Sequence, residues 1–94
     1  MRIVWTPRAL RELAAARAYI ARDNPIAAAR QIERIFVAVT TLLQFPEIGR
    51  PGRRAGTREL VIGRTPFIVA YRLRADAVEI AAVLHGRQRW PDGV

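Results

Sequence analysis

Ninety-four residues fit one domain with a single modest core, and a hydrophobic fraction of 51% is enough for that core to fold. The chain contains no Cys, Ser or Lys and one His, His85, which removes disulfides, thiolate and serine nucleophiles, lysine Schiff bases and multi-histidine metal sites. Sixteen arginines against eight acids leave a net charge of +8, which draws the chain toward nucleic acid, ribosomes or acidic proteins. Codon usage in a GC-rich genome accounts for the missing Lys, but not for the excess of cations. Pro7 and Arg8 interrupt the first apolar stretch, and no segment nears the ~20 apolar residues of a membrane span. A single cytoplasmic domain over 1–94, without cofactor or metal, is therefore expected.

Arg2 to Trp5 alternate briefly, as a short strand does. Thr6 can then cap a helix whose first position is Pro7. Ala9, Leu13, Ala16 and Ile20 recur at helical spacing up to Arg22, with Arg8, Arg11, Glu12 and Arg22 on the other side. Asp23-Asn24-Pro25 breaks and restarts the chain, and a second helix is predicted to about Phe45. Its stripe is Ala28, Ile32, Ile35, Val39 and Leu42, widened by Phe36 and Leu43, while Arg30, Arg34, Thr41 and Gln44 face water. So short a break makes an antiparallel helical hairpin. Pro46 to Gly56 reads as a basic Gly/Pro/Arg loop, expected to be the most mobile part of the chain. Three strands follow, at Arg58–Ile62, Phe67–Leu73 and Val78–Leu84, with Leu60 and Ile62 set against Glu59 and Val61. In the last strand the inward candidates are Val78, Ile80, Ala82 and Leu84. His85 to Pro91 forms a polar and aromatic tail.

The expected fold is therefore α+β: an N-terminal strand, a long antiparallel helical hairpin, then a three-stranded antiparallel meander, with the hairpin packed on one sheet face. Leu13, Ile20, Ile32, Ile35, Val39 and Leu42 should meet Leu60, Ile62, Val78 and Ile80 in the core. Ile68, Ala70, Ala81 and Val83 fall on the side the helices should leave open, and a half-apolar open face suggests that a partner covers it.

In chain order, Trp5-Thr6-Pro7-Arg8-Ala9, Tyr19-Ile20, Asp23-Asn24-Pro25, Phe45-Pro46-Glu47-Ile48-Gly49-Arg50, Arg58-Glu59-Leu60-Val61, Ile68-Val69-Ala70-Tyr71-Arg72 and Val78-Glu79-Ile80 through Val83-Leu84-His85-Gly86-Arg87 resemble the RelE/ParE toxin superfamily, closest to the ParE branch. The resemblance covers nearly the whole chain. It implies the toxin of a type II toxin–antitoxin pair. The partner would be a cognate antitoxin with a DNA-binding, ribbon-helix-helix part and a C-terminal segment that wraps the toxin. ParE-like members inhibit DNA gyrase without a hydrolytic site of their own. RelE-like members enter the ribosome and cut mRNA.

Metal-independent RNA cleavage needs a base, an acid and cations on the phosphate. Glu47 as base, His85 as acid, and Arg58 or Arg72 as clamp supply that set. Each has a plainer reading. Glu47 is a solvated loop residue, His85 bonds locally at a strand end, and Arg58 and Arg72 pair with Glu59 and Glu79 across strands. The hairpin, with helices of about sixteen and twenty residues, resembles the ParE branch, and RelE-like nucleases tend to gather lysines absent here. The ParE-like reading is favoured, and on it Arg87, Arg89 and Trp90 are the expected target contact. Ile68, Ala70, Arg72, Ala81 and Val83 are the expected antitoxin contact. A third reading is a non-toxic nucleic-acid-binding module, using Arg50, Arg53 and Arg54 with Arg87, Arg89 and Trp90 on phosphate and bases.

Overall fold

A computed structural model of the chain describes residues 1–86. The elements in chain order are β1 (Arg2–Trp5), α1 (Pro7–Ala21), α2 (Pro25–Thr41), β2 (Arg50–Pro51), β3 (Arg58–Val61), β4 (Phe67–Leu73) and β5 (Ala77–His85). Both helices start as their sequences dictate. The Thr6 hydroxyl oxygen accepts from the Ala9 N–H at 3.1 Å and donates to the Ile80 carbonyl at 2.9 Å, so one cap also pins α1 to β5. Asn24 Oδ1 accepts from the Ala27 N–H at 3.0 Å, and a proline follows each cap.

The second helix ends at Thr41, earlier than the Phe45 expected. Thr40 and Thr41 turn their hydroxyls back onto the Phe36 and Ala38 carbonyls at 2.8 and 2.6 Å. From Leu42 to Gln44 the backbone then tightens to bonds three residues back.

The sheet has five strands in the order β1-β5-β4-β3-β2, with β1 parallel to β5 and the other pairs antiparallel. The meander is thus present. It is extended by β1 on one side and by a two-residue strand, β2, inside the predicted loop on the other. Pro51 sits on the outermost strand, where its missing N–H leaves no ladder bond unmade. The helices pack on one face. Ala9, Leu13, Ile35, Val39 and Leu42 meet Ile62, Phe67, Val69, Tyr71, Val78 and Ile80 in one cluster, with Ile20, Ile32 and Leu60 partly buried against it.

Two expected facings are corrected. Ala70 pairs with Ala82 but Tyr71 pairs with Ile80, so Ala81 is an extra residue in β5. A bulge reverses which residues face the helices beyond it. Val83 therefore joins the helix-side core, while Ala82 and Leu84, expected inward, form a separate cluster with Ala70 on the opposite face. That opposite face is not an open apolar surface either: Ile68, Ala70, Ala82 and Leu84 are all buried within the chain. The second correction is Glu12, expected in solvent. It is half-buried, with its carboxylate accepting the Val83 N–H at 3.1 Å beside Arg8 at 3.6 Å.

Candidate functional site

The basic segment after α2 is organised by two residues that sequence reasoning did not single out. Glu59, expected on the wet side of β3, is only 2% exposed. Its Oε1 accepts from Arg50 Nη2 and Nε at 3.1 and 3.3 Å, and its Oε2 accepts from the Arg53 backbone N–H at 3.0 Å. Arg53 Nε lies 3.7 Å away. One buried carboxylate thus gathers the cationic loop from beneath. Burying that charge is tolerable because it is paired and fully hydrogen-bonded. The available hint was an acid inside an arginine-rich stretch, on a strand whose edge partner is Arg50.

Tyr71 is the second. It is wholly buried, and its hydroxyl donates to the Pro46 carbonyl at 2.8 Å and accepts the Gly49 N–H at 2.9 Å. Burial pushes the phenol above its usual range, partly offset by the Gly49 N–H and by Arg58. A Cβ on Gly49 would lie 2.6 Å from the Tyr71 hydroxyl, so only glycine fits there. The loop carries a left-handed turn at Gly56, φ +78°, and Thr57 closes it on the Arg54 carbonyl.

The residues considered for RNA cleavage are spread over the loop after α2 and over β3, β4 and β5. Arg58 donates to the Glu47 and Gly49 carbonyls at 3.1 and 2.8 Å, which ties the loop down from the side. Glu47 itself is exposed. Arg58 lies opposite Tyr71 on β4, whereas His85 lies opposite Phe67, four residues further along. At ~3.3 Å per residue that is about 13 Å along β4 between the register positions of Arg58 and His85. His85 packs edge-on to Phe67 with ring centroids 6.0 Å apart. Arg72 is 3.9 Å from Glu79, its cross-strand neighbour, and Arg74 shares that carboxylate at 3.4 Å. The expected Arg72–Glu79 pair is therefore present, while Glu59 is taken by Arg50 and Arg53 rather than by Arg58. Arg87, Arg89 and Trp90 lie outside the described residues. Among the described residues no group of three or more His, Cys, Asp or Glu could hold a metal ion, and no helix is long and apolar enough to cross a membrane.

Of the expected antitoxin contacts, Ile68, Ala70, Ala81 and Val83 are all buried in the chain. Arg72 keeps about a quarter of its side chain exposed. Accessible apolar groups lie instead on the hairpin and the loop, at Tyr19, Ile26, Val37, Phe45 and Ile48. Three separate depressions lie along α2: one is lined by Asn24, Ile26 and Gln31, one by Arg30, Arg34 and Val37 with Ile62 and Gly63, and one by Thr41 and Leu43.

The sequence profile of the family described as "ParE toxin of type II toxin-antitoxin system, parDE" matches residues 3–90, and the chain belongs to that family. It is 52% identical over 90 residues to "Putative toxin Y4kP" of Sinorhizobium fredii, covering 96% of this chain and 93% of the relative. "Toxin RelE2" of Caulobacter vibrioides is 39% identical over 88% of this chain and 92% of its own length. Among solved structures, a chain of the "Chromosomal ParDE TA system from P. aeruginosa" superposes with a TM-score of 0.80 at 26% identity, covering 90% of this chain and 95% of that one. The chain is thus a ParE-like toxin of a type II toxin–antitoxin system, with an antitoxin as its partner.

Proposed function

We propose that this toxin acts in the cytoplasm by inhibiting DNA gyrase, without a hydrolytic site or cofactor of its own. A cognate antitoxin that carries a ribbon-helix-helix DNA-binding part neutralises it. The observation that carries this reading is the match of the ParE family over residues 3–90. Arg58 and His85, two of the groups that RNA cleavage would bring around one phosphate, stand opposite Tyr71 and Phe67, four residues apart on β4. On this reading the gyrase contact is made by Arg87, Arg89 and Trp90. Of the antitoxin contact set Ile68, Ala70, Arg72, Ala81 and Val83, Arg72 meets the partner directly, since the other four are buried within the chain.

Purified toxin should inhibit gyrase supercoiling or trap cleaved DNA. Glu47→Ala and His85→Gln should leave that inhibition within about twofold, because neither side chain does chemistry. Truncation after Leu84 should abolish it.

The names of the Caulobacter relatives, "Toxin RelE2" and "Toxin RelE3", favour ribosome-dependent mRNA cleavage as the second reading. There the same two substitutions would each slow cleavage by roughly 10²–10⁴-fold, the usual worth of a general acid or base.

A further inference from the structure

The two faces of the sheet are buried by different means. On one, the strands meet residues of α1 and α2 in the main cluster. On the other, Ala70, Ala82 and Leu84 form a cluster to which neither helix contributes. Yet Leu84 is only 1% exposed and Ile68, beside it on β4, 7%. Val61, opposite Ile68 on β3, stands on the same face and is 55% exposed. A side chain of this face is thus accessible where nothing lies over it, and a leucine on a bare sheet would keep much of its surface in water. A cover therefore lies over β4 and β5 and stops short of β3.

Arg50, Arg53 and Glu59 close the end of the face beside Ala70. The chain beyond Gly86 is aimed at the rest. The Gly86 N–H donates to the Pro66 carbonyl at 2.6 Å, and a Cβ on Gly86 would lie 3.9 Å from Ile68 Cδ1. The backbone thus leaves β5 beside Ile68, on the covered face. Residues 87–94 reach about 26 Å when extended, against about 23 Å for the seven residues of β4, so they can run the length of that face. Their chemistry fits as well. Trp90 is the large apolar side chain that a hollow floored by Ala70 and Ala82 accepts. Asp92, two residues on, brings an acid toward the end where Arg50 and Arg53 share one carboxylate.

We infer that this face is the docking site of the chain's own C-terminal segment, residues 87–94, with the Trp90 indole seated over Ala70, Ala82 and Leu84. The docked segment presents the arginines of the gyrase contact from the sheet. The docking itself needs no target; its use in gyrase contact rests on the reading above.

NMR of the full chain, at concentrations where it is monomeric, tests the docking. Trp5 packs on Phe36 on the helix side, with ring centroids 5.4 Å apart, so the two indoles are told apart by their neighbours. Nuclear Overhauser contacts from the Trp90 indole to the methyls of Ala82 and Leu84 are expected. In Trp5→Phe, where Trp90 is the one tryptophan left, acrylamide quenching should be at least threefold weaker than in the urea-unfolded chain. Trp90→Ala should raise the binding of an apolar dye severalfold, and Trp90→Phe should return it toward the wild-type level. Absence of those contacts together with full quenching overturns the docking. Contacts that appear only as the chain dimerises overturn it too, with a second copy as the occupant.

Gyrase supercoiling assays report the use separately. Leu84→Ala alters a side chain buried beneath the segment and out of reach of a target. It should undock Trp90 and weaken inhibition tenfold or more with the circular dichroism unchanged. Undocking without loss of inhibition overturns the coupling to gyrase. No inhibition by the wild-type chain, with the Trp90 contacts present, overturns the gyrase reading and leaves the docking in place.

Discussion

Replacing Glu59 with alanine tests whether one buried carboxylate holds the cationic loop. The side chain is 2% exposed and accepts three hydrogen bonds of 3.0 to 3.3 Å, two from the Arg50 guanidinium and one from the Arg53 N–H. Bonds to a charged group contribute about 1.5–3 kcal/mol each when both partners are sealed from water. Here the Arg50 and Arg53 side chains are 55% and 48% exposed and rehydrate once released. That exposure reduces the expected loss for the whole cluster to about 2–3 kcal/mol. At a urea slope of about 2 kcal/mol/M, the midpoint should fall by about 1–1.5 M with the slope unchanged. Glu59→Gln keeps the volume and one acceptor and should lose about half as much. The local readout is limited trypsin digestion, which cuts after Arg53 and Arg54. Glu59→Ala should speed that cleavage well beyond the change in global stability. A midpoint shift under about 0.3 M with unchanged cleavage would refute the reasoning, since the loop would then be held by other contacts.

Ile35 is wholly buried in the main cluster, and Ile35→Ala should cost about 2–5 kcal/mol in denaturant unfolding. Tyr71→Phe strands the Pro46 carbonyl and the Gly49 N–H and should cost about 1–3 kcal/mol at neutral pH. Because the folded-state pKa of Tyr71 is raised, the folded chain holds its proton more tightly than the unfolded one. Its contribution is therefore fully present below the unfolded value of about 10 and is lost as the pH rises through the higher folded value. An alkaline stability profile of wild type against Tyr71→Phe should show this drop only in the wild type. The antitoxin complex should form more slowly in high salt but persist, since much of such an interface is apolar. Its complete dissociation in moderate salt, followed by gel filtration, would point to phosphate-type contacts instead.

The hairpin was legible because its signals are local: a cap and a proline at each start, and apolar residues at helical spacing. The core followed from the same stripes, and all ten residues assigned to it lie in or against the main cluster. The far end of β5 was not legible. The bulge at Ala81 carries no glycine or proline to mark it, and it exchanges the facings of Ala82, Val83 and Leu84. Glu59 escaped for a related reason. Alternation placed it on the outer face of β3, and only the return of the chain through Arg50 and Arg53 supplies the partners that make its burial affordable. The register that sets Arg58 opposite Tyr71 and His85 opposite Phe67 is likewise not encoded by residue spacing. The depression beside Arg30, Arg34 and Val37 depends in turn on where Ile62 and Gly63 arrive, some thirty residues downstream.

The central claim, that this toxin disables gyrase rather than the ribosome, is tested most directly by expressing it without antitoxin and following DNA and mRNA in the same cells. The account predicts arrested replication, an induced DNA-damage response and filamented cells, with mRNA intact on translating ribosomes. The Glu47→Ala/His85→Gln double variant should be as toxic as the wild type. Cleavage of mRNA at the ribosomal A site with replication and gyrase unaffected, abolished in that double variant, would contradict it.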